Sequence, residues 1–164
     1  MDLNIGTILI STEKLADTNF EKTVIIISEH NEKGSLGFVI NKLFPRRFNE
    51  LAEFKNSMAF PLYNGGPVET ESLYFIHCRP DLIDGGNPIT DNIFMGGDFK
   101  KAVMMMDQKM ITDKELKLFV GYCGWDDNEL NQEIEEGSWQ IIEMPTQNIF
   151  NLLEDLWQKL TANT

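Results

Sequence analysis

TVIIISEHNEKGSLGFVIN, residues Thr23–Asn41, holds two apolar, β-branched runs, Thr23–Ser28 and Leu36–Asn41, either side of the short, turn-rich segment Asn31–Gly34. Runs of this composition bounded by turn residues read as strands, and so short a connection makes them an antiparallel hairpin. Further runs of the same kind recur at Thr7–Ser11, Ala59–Tyr63, Leu73–Cys78, Ile89–Met95, Leu116–Tyr122 and Trp139–Glu143. Strands therefore dominate, and they come early.

Helical spacing appears later. In Asp98–Met110 the apolar residues Phe99, Ala102, Val103, Met106 and Met110 share one face, with Asp98 placed as N-cap. Ile149, Leu152, Leu153, Leu156, Trp157 and Leu160 repeat that spacing after Pro145, predicting a docked helix over Ile149–Leu160, in which Trp157→Ala should cost about 3–5 kcal/mol. Between these, Asp126-x-x-Glu129 has the spacing of a capping box and Gly137 stands where a short helix would stop. A weaker helical signal covers Phe48–Phe54, and Asp84–Pro88 reads as a loop. Strands first, helices inserted and one appended, is an α+β (mixed α/β) order in a single domain over residues 1–164, rather than a regular βαβ repeat.

Three glycine-marked stretches stand beside strand-like runs: His30–Lys42, Tyr63–Val68 (YNGGPV) and Phe119–Trp125 (FVGYCGW). Glycine there supplies positive φ or lets a backbone or ligand come close. None has the charged groups of a phosphate loop, since no Lys-Ser/Thr follows Asn64-Gly65-Gly66-Pro67. Gly121-Tyr122-Cys123-Gly124 lacks the basic, helical flanks of a KH loop.

The formal net charge is -12, most of the excess lying in the last third of the chain. Such a field repels phosphate backbones and anionic membranes, and Arg46-Arg47 and Lys100-Lys101 are too few to make a basic patch, so direct DNA binding is disfavoured. The N-terminus lacks the basic and long apolar stretches of a secretion signal, and no run approaches membrane-spanning length, so a cytoplasmic protein is expected. The acidic cluster from Asp126 to Glu136 lacks EF-hand spacing, and Met104-Met105-Met106 reads as core filling rather than a soft-metal site. No metal and no cofactor is expected.

Cys78 and Cys123 sit in apolar runs without metal-ligand spacing and read as buried free thiols. The sharpest enzymatic alternative would pair Cys123 with His30 or His77, the two histidines of the chain, yet in papain-type signatures the aromatic follows the cysteine directly, whereas here Gly124 intervenes. No catalytic residue is assigned. The candidate ligand- or partner-binding residues are His30, Asn41, Gly65, Gly66, Pro67, His77, Asp91, Tyr122 and Trp125. If the glycine stretches converge, these should line one surface. A merely structural role predicts instead separate glycine turns, internally bonded imidazoles and a buried Trp125.

Taken together, Gly6–Ile10, Glu29-His30-Asn31, Val39-Ile40-Asn41-Lys42, Gly65-Gly66-Pro67-Val68, Phe75-Ile76-His77, Thr90-Asp91-Asn92, Gly121-Tyr122, Gly124-Trp125 and Trp139 resemble, in order and over nearly the whole chain, the YqgE/AlgH family of small bacterial proteins. The resemblance implies a bent, largely antiparallel sheet curling into a pseudo-barrel with helices packed outside. It implies no catalytic residues, and a label of transcriptional regulator that rests on association rather than on a DNA-binding motif. Cys123 stands where relatives commonly carry a small residue, which argues against a thiol chemistry shared across the family. The leading expectation is a binding or regulatory protein acting through a protein partner or small ligand, its oligomeric state open. The alternatives are a hydrolase-like enzyme using His30 or His77 in a polar cleft with Asn41 and Asp91, and a direct DNA-binding regulator.

Overall fold

The expected hairpin forms, and it anchors one half of a ten-stranded sheet. A computed structural model describes residues 2–151 and 155–162. β2 (Val24–Asn31) and β3 (Gly34–Val39) pair antiparallel around Glu32-Lys33, with Asn31 opposite Gly34. β1 (Ile8–Ser11) pairs antiparallel with β2 on one side and β10 (Trp139–Ile142) on the other. Beyond β3 comes β9 (Leu116–Asp126), then β6 (Val68–His77), β8 (Ile93–Met95) and β7 (Asn87–Thr90), all antiparallel to their neighbours. β5 (Pro61–Asn64) runs parallel to β9 and carries β4 (Leu43–Arg47) on its outer side.

β9 is the spine. Its first half pairs with β5 and β6, its last four residues pair with β3, and Gly121, at φ +75°, stands between the two halves. Side-chain alternation then sorts the apolar residues into layers. Ile8, Ile10, Val24, Ile26, Phe38 and Ile40 from one half meet Ile76, Ile89, Ile93 and Phe119 from the other, so the sheet bends around a shared inner core. Gly6 (φ +88°), just before β1, lies so close to β7 that a Cβ would sit 2.9 Å from the Ile89 carbonyl oxygen. β10 and β7 remain the two ends of the strand order, so the sheet is curled but unclosed.

Two helices cover the outer faces, and a third, near the C-terminal end, packs Leu156 against the inner core. α1 (Phe99–Asp107) starts as the sequence predicts, the Asp98 carboxylate accepting from the Lys101 N–H at 3.1 Å. It buries Ala102, Met105 and Met106 against Leu116, Leu118 and Val120, while Met104 faces solvent; the helix stops at Asp107, short of the expected Met110, which is exposed in the turn beyond it rather than on the buried face. α2 (Glu129–Glu135) covers the other half of β9. Its start differs from the expected capping box: Asn128, in left-handed geometry, is the N-cap, and it makes no side-chain cap bond. Its end follows expectation, because Gly137 (φ +85°) donates to Ile134 and Ser138 to Glu133, which satisfies two terminal carbonyls.

Several boundaries move for local reasons. Ile89–Met95 is two strands rather than one, because Asn92 takes a left-handed φ of 56° and turns the chain at Asp91-Asn92. β4 was hidden by its exposed, Pro45-containing sequence, the composition of an edge strand. Phe48–Phe54 is two 3₁₀ turns, Phe48–Glu50 and Ala52–Phe54. The expected helix over Ile149–Leu160 is a 3₁₀ turn, Thr146–Ile149, and a short α3 (Leu156–Thr161); residues 152–154 lie outside the described residues. Trp157 is half-buried against the inner core and donates from Nε1 to the Ser11 carbonyl at 2.9 Å. Partial burial lowers the expected cost of Trp157→Ala to about 2–3 kcal/mol. A urea midpoint equal to that of the wild type would mean that the C-terminal segment contributes nothing to the fold.

Candidate functional site

Two of the glycine stretches meet where the chain crosses β9. β5 lies on the same edge of β9 as β3 and β6 on the opposite edge, so Gly65-Gly66-Pro67, the whole connection between β5 and β6, must pass over the β9 backbone. No side chain fits in that crossing. A Cβ on Gly65 would lie 2.4 Å from the Gly121 carbonyl oxygen, and one on Gly121 would lie 2.3 Å from that of Gly66. Hydrogen bonds fasten the crossing: Gly65 N–H donates to Val120 at 2.8 Å, and the Gly65 carbonyl accepts from Val39 N–H at 3.0 Å.

The third stretch joins at the far end of β9. Gly34 sits at φ +136°, and a Cβ there would be 2.0 Å from the Trp125 carbonyl oxygen. Past this contact, the hairpin tip and the end of β9 enclose an open groove of about 340 Å³. Tyr122 and Gly124 lie along it, flanked by Leu36 and Val68, with Glu29 and Asp126 at the rim. Gly124 differs from the crossing glycines. A Cβ would meet only Leu36 and Tyr122 side-chain atoms at 3.6 Å, so the space above it is free.

The nine predicted residues divide between this place and others. Gly65, Gly66, Pro67, Tyr122 and Trp125 lie in or next to the crossing and the groove. Trp125 is 9% exposed, and its Nε1 donates to Glu133 Oε1 at 3.2 Å, the oxygen that also accepts from Trp139 Nε1 at 3.0 Å. His30 stands at the hairpin end, its Nδ1 2.8 Å from Ser35 Oγ.

Asn41 closes the base of the hairpin instead: its Oδ1 accepts from Val24 N–H and its Nδ2 donates to the Lys22 carbonyl, both at 2.9 Å. His77 is fully buried between the rings of Phe75 and Phe94. Its Nδ1 accepts from Arg79 N–H at 3.1 Å, which leaves the proton on Nε2 to be donated to Gly96 O at 3.1 Å. Burial pushes its pKa below the usual histidine value, outweighing the Gly96 bond, so it is held neutral. Asp91 belongs to a separate, larger cleft of about 790 Å³ at the open seam between β1 and β7, where it faces Gly6 and Thr7. The nine residues therefore do not share one surface.

Two groups escaped the sequence reading. Ser35 is buried beside His30, inside the turn-proximal part of β3. Lys117 is 2% exposed, its Nζ donating to the carbonyls of Ile40 at 2.7 Å and Ile149 at 2.9 Å and lying 3.9 Å from the centre of the Tyr63 ring. The signal was a lone lysine inside Leu116–Val120, at the parity of the core residue Phe119. Burial lowers its pKa to about 7.

Cys123 is 1% exposed, donates weakly to the Gly65 carbonyl at 3.5 Å, and is pushed up to about 12 by burial. A thiol so placed holds almost no thiolate at neutral pH. Native labelling of Cys123 by a thiol reagent at pH 7.5 should be slow and limited by unfolding; labelling at the rate of an exposed thiol would contradict this placement. Among the described residues no group of three or more His, Cys, Asp and Glu side chains could hold a metal ion, and no helix is long and apolar enough to cross a membrane.

The DUF179, AlgH-like family model matches residues 8–164. A protein of Chlorobium phaeobacteroides described as UPF0301 is 36% identical over 158 residues, which cover 96% of this chain and 84% of that protein. A UPF0301 protein of Bacteroides thetaiotaomicron is 34% identical over 156 residues, 94% of this chain and 79% of the other. In structure, the chain is similar to the AlgH protein of Pseudomonas aeruginosa, with a TM-score of 0.75 at 23% identity, covering 99% of this chain and 90% of that one. A Corynebacterium diphtheriae protein gives a TM-score of 0.74 at 20% identity, covering 100% and 90%. At those identities the two structures speak for the curled sheet alone, while the family match over the crossing, the groove and both glycine-bearing strands places the chain in the AlgH-like family.

Proposed function

We propose that this chain is a cytoplasmic binding or regulatory protein that engages a protein partner or small ligand at the groove beside Gly124, any effect on transcription being indirect. The observation that carries this reading is the contrast among glycines. Those at the crossing are filled to contact by neighbouring backbone, whereas Gly124 opens onto unfilled space beside Tyr122, between Leu36 of β3 and Val68 of β6. A strand residue with no packing demand for glycine, floored beside Tyr122 and flanked by Glu29, Asp126 and Lys33, suits a surface kept clear for an occupant. The acidic charge of the chain weighs against direct DNA binding.

Gly124→Phe is the test, because its Cβ is accommodated and its ring fills the groove. Partners or metabolites captured on the wild-type protein from native lysate should be lost on Gly124→Phe at unchanged melting temperature. Identical capture on both proteins would overturn the reading.

The hydrolase alternative has one observation in its favour, the 2.8 Å contact between His30 Nδ1 and Ser35 Oγ, a nucleophile and base in reach. Against it, Ser35 is 4% exposed. A fluorophosphonate probe that labels the wild type but not Ser35→Ala would move this reading ahead.

A further inference from the structure

On the opposite face of the sheet from the inner core, α1 and the turn Ala52–Phe54 leave a pocket of about 500 Å³. Its walls are aromatic and fixed in place. Phe54 stacks on buried Phe48 at 4.4 Å between ring centres and meets Phe99 edge-on at 5.8 Å, and Phe44 of β4 lines the pocket with them. The rim carries charge of both signs: Arg46, two residues beyond Phe44 on the same side of β4, and the carboxylates of Glu53 and Glu71. Arg46 makes no side-chain hydrogen bond or ion pair among the described residues, whereas Arg47 donates to the Ala59 carbonyl and Arg79 is held by Asp81 and Glu115.

The sheet is also irregular where the pocket opens. The β6–β9 ladder runs regularly from His77 to Leu73, opposite Val120, and resumes only at Val68, opposite Tyr122. Glu69–Ser72 therefore arches away from β9, Glu69 adopts a left-handed φ of 54°, and the arch places Thr70, Glu71 and Ser72 on the rim. Such excursions in a ladder re-aim side chains and concentrate beside binding sites.

We infer that this pocket binds a small amphipathic zwitterion with the chemistry of a free apolar α-amino acid. The volume is in the range of small-molecule sites. Aromatic walls take the apolar side chain, the guanidinium of Arg46 takes the carboxylate, and Glu53 and Glu71 take the ammonium group. A purely anionic ligand would leave two carboxylates opposing it, and a purely cationic one would leave Arg46 opposing it. A ligand carrying both signs beside an apolar body offers a partner to the aromatic walls and to all three charges. This site is separate from the Gly124 groove and does not depend on what that groove binds.

The test is calorimetric titration of the whole protein with L-leucine and L-phenylalanine, and with N-acetyl-L-leucine and L-leucinamide, which each lack one charge. Leucine or phenylalanine should bind, and each capped analogue should bind about tenfold more weakly or worse. Arg46→Gln, at an exposed position, should keep the wild-type melting temperature and lose about tenfold in affinity for the free amino acid. Gly124→Phe should bind as the wild type does. The inference fails if neither amino acid binds, if N-acetyl-L-leucine binds as tightly as leucine, if Arg46→Gln binds unchanged, or if Gly124→Phe abolishes the binding and so locates it in the other groove.

Discussion

Gly66→Ala should destabilise the protein by about 4 kcal/mol or more, enough to leave a domain of ordinary stability largely unfolded. The added methyl would lie 2.2 Å from the carbonyl carbon and oxygen of Tyr122 and 2.6 Å from Cys123 N. These are backbone atoms of β9, which is hydrogen-bonded along both edges, so no side-chain rotation relieves the clash. Gly66 also has φ +153°, which L side chains rarely adopt. Gly121→Ala should cost a similar amount, since its methyl meets the Gly66 carbonyl oxygen, and the double variant should cost less than the sum because both open one contact. Gly124→Ala is the control. With ordinary 3.6 Å contacts it should stay within about 0.5 kcal/mol of the wild type. Urea midpoints of the three single variants decide the matter, and equal loss in Gly66→Ala and Gly124→Ala would refute the crossing as the reason for glycine.

The same contacts show what could be read in the sequence. The hairpin Thr23–Asn41 and the helix after Asp98 were legible because a buried face imposes a period of two or of about 3.6 on the residues that meet it. β4 and the arch of β6 were not. Leu43–Arg47 and Glu69–Ser72 are polar or proline-bearing, their strand conformation imposed by neighbours rather than by burial of their own side chains. Glycine marked the important places without naming their geometry. Gly65, Gly66, Gly121 and Gly124 look alike in sequence, yet three are glycine because a chain crosses there, and the fourth is open to solvent. Asn41 and His77 were candidates for a shared binding surface, but their partners, Val24 and Lys22 for one and Arg79 and Gly96 for the other, are backbone groups that become visible only when the strands are assembled.

Lys117→Met should reverse the sign of its effect on stability as pH rises. In the folded protein burial lowers the Lys117 pKa from 10.5 to about 7, so between those values the unfolded chain holds a proton that the folded chain has given up. Stability must then rise with pH across that window, approaching a slope of about 1.4 kcal/mol per unit, and flatten below it. Methionine of similar length removes the titrating group. At pH 7 the variant escapes the cost of burying an amine and should be more stable than the wild type by about 1–3 kcal/mol. At pH 10 that cost is gone, while the neutral amine of the wild type still donates to Ile40 and Ile149, joining the end of β3 to the C-terminal turn. Methionine leaves both carbonyls without that donor, at about 1 kcal/mol each, so there the variant should be the less stable. Every other titrating group is common to both proteins and cancels in the difference. Urea midpoints at pH 7, 8, 9 and 10 should therefore give difference curves that cross zero, and two parallel curves would mean that the amine is not held as its contacts with Ile40, Ile149 and Tyr63 require.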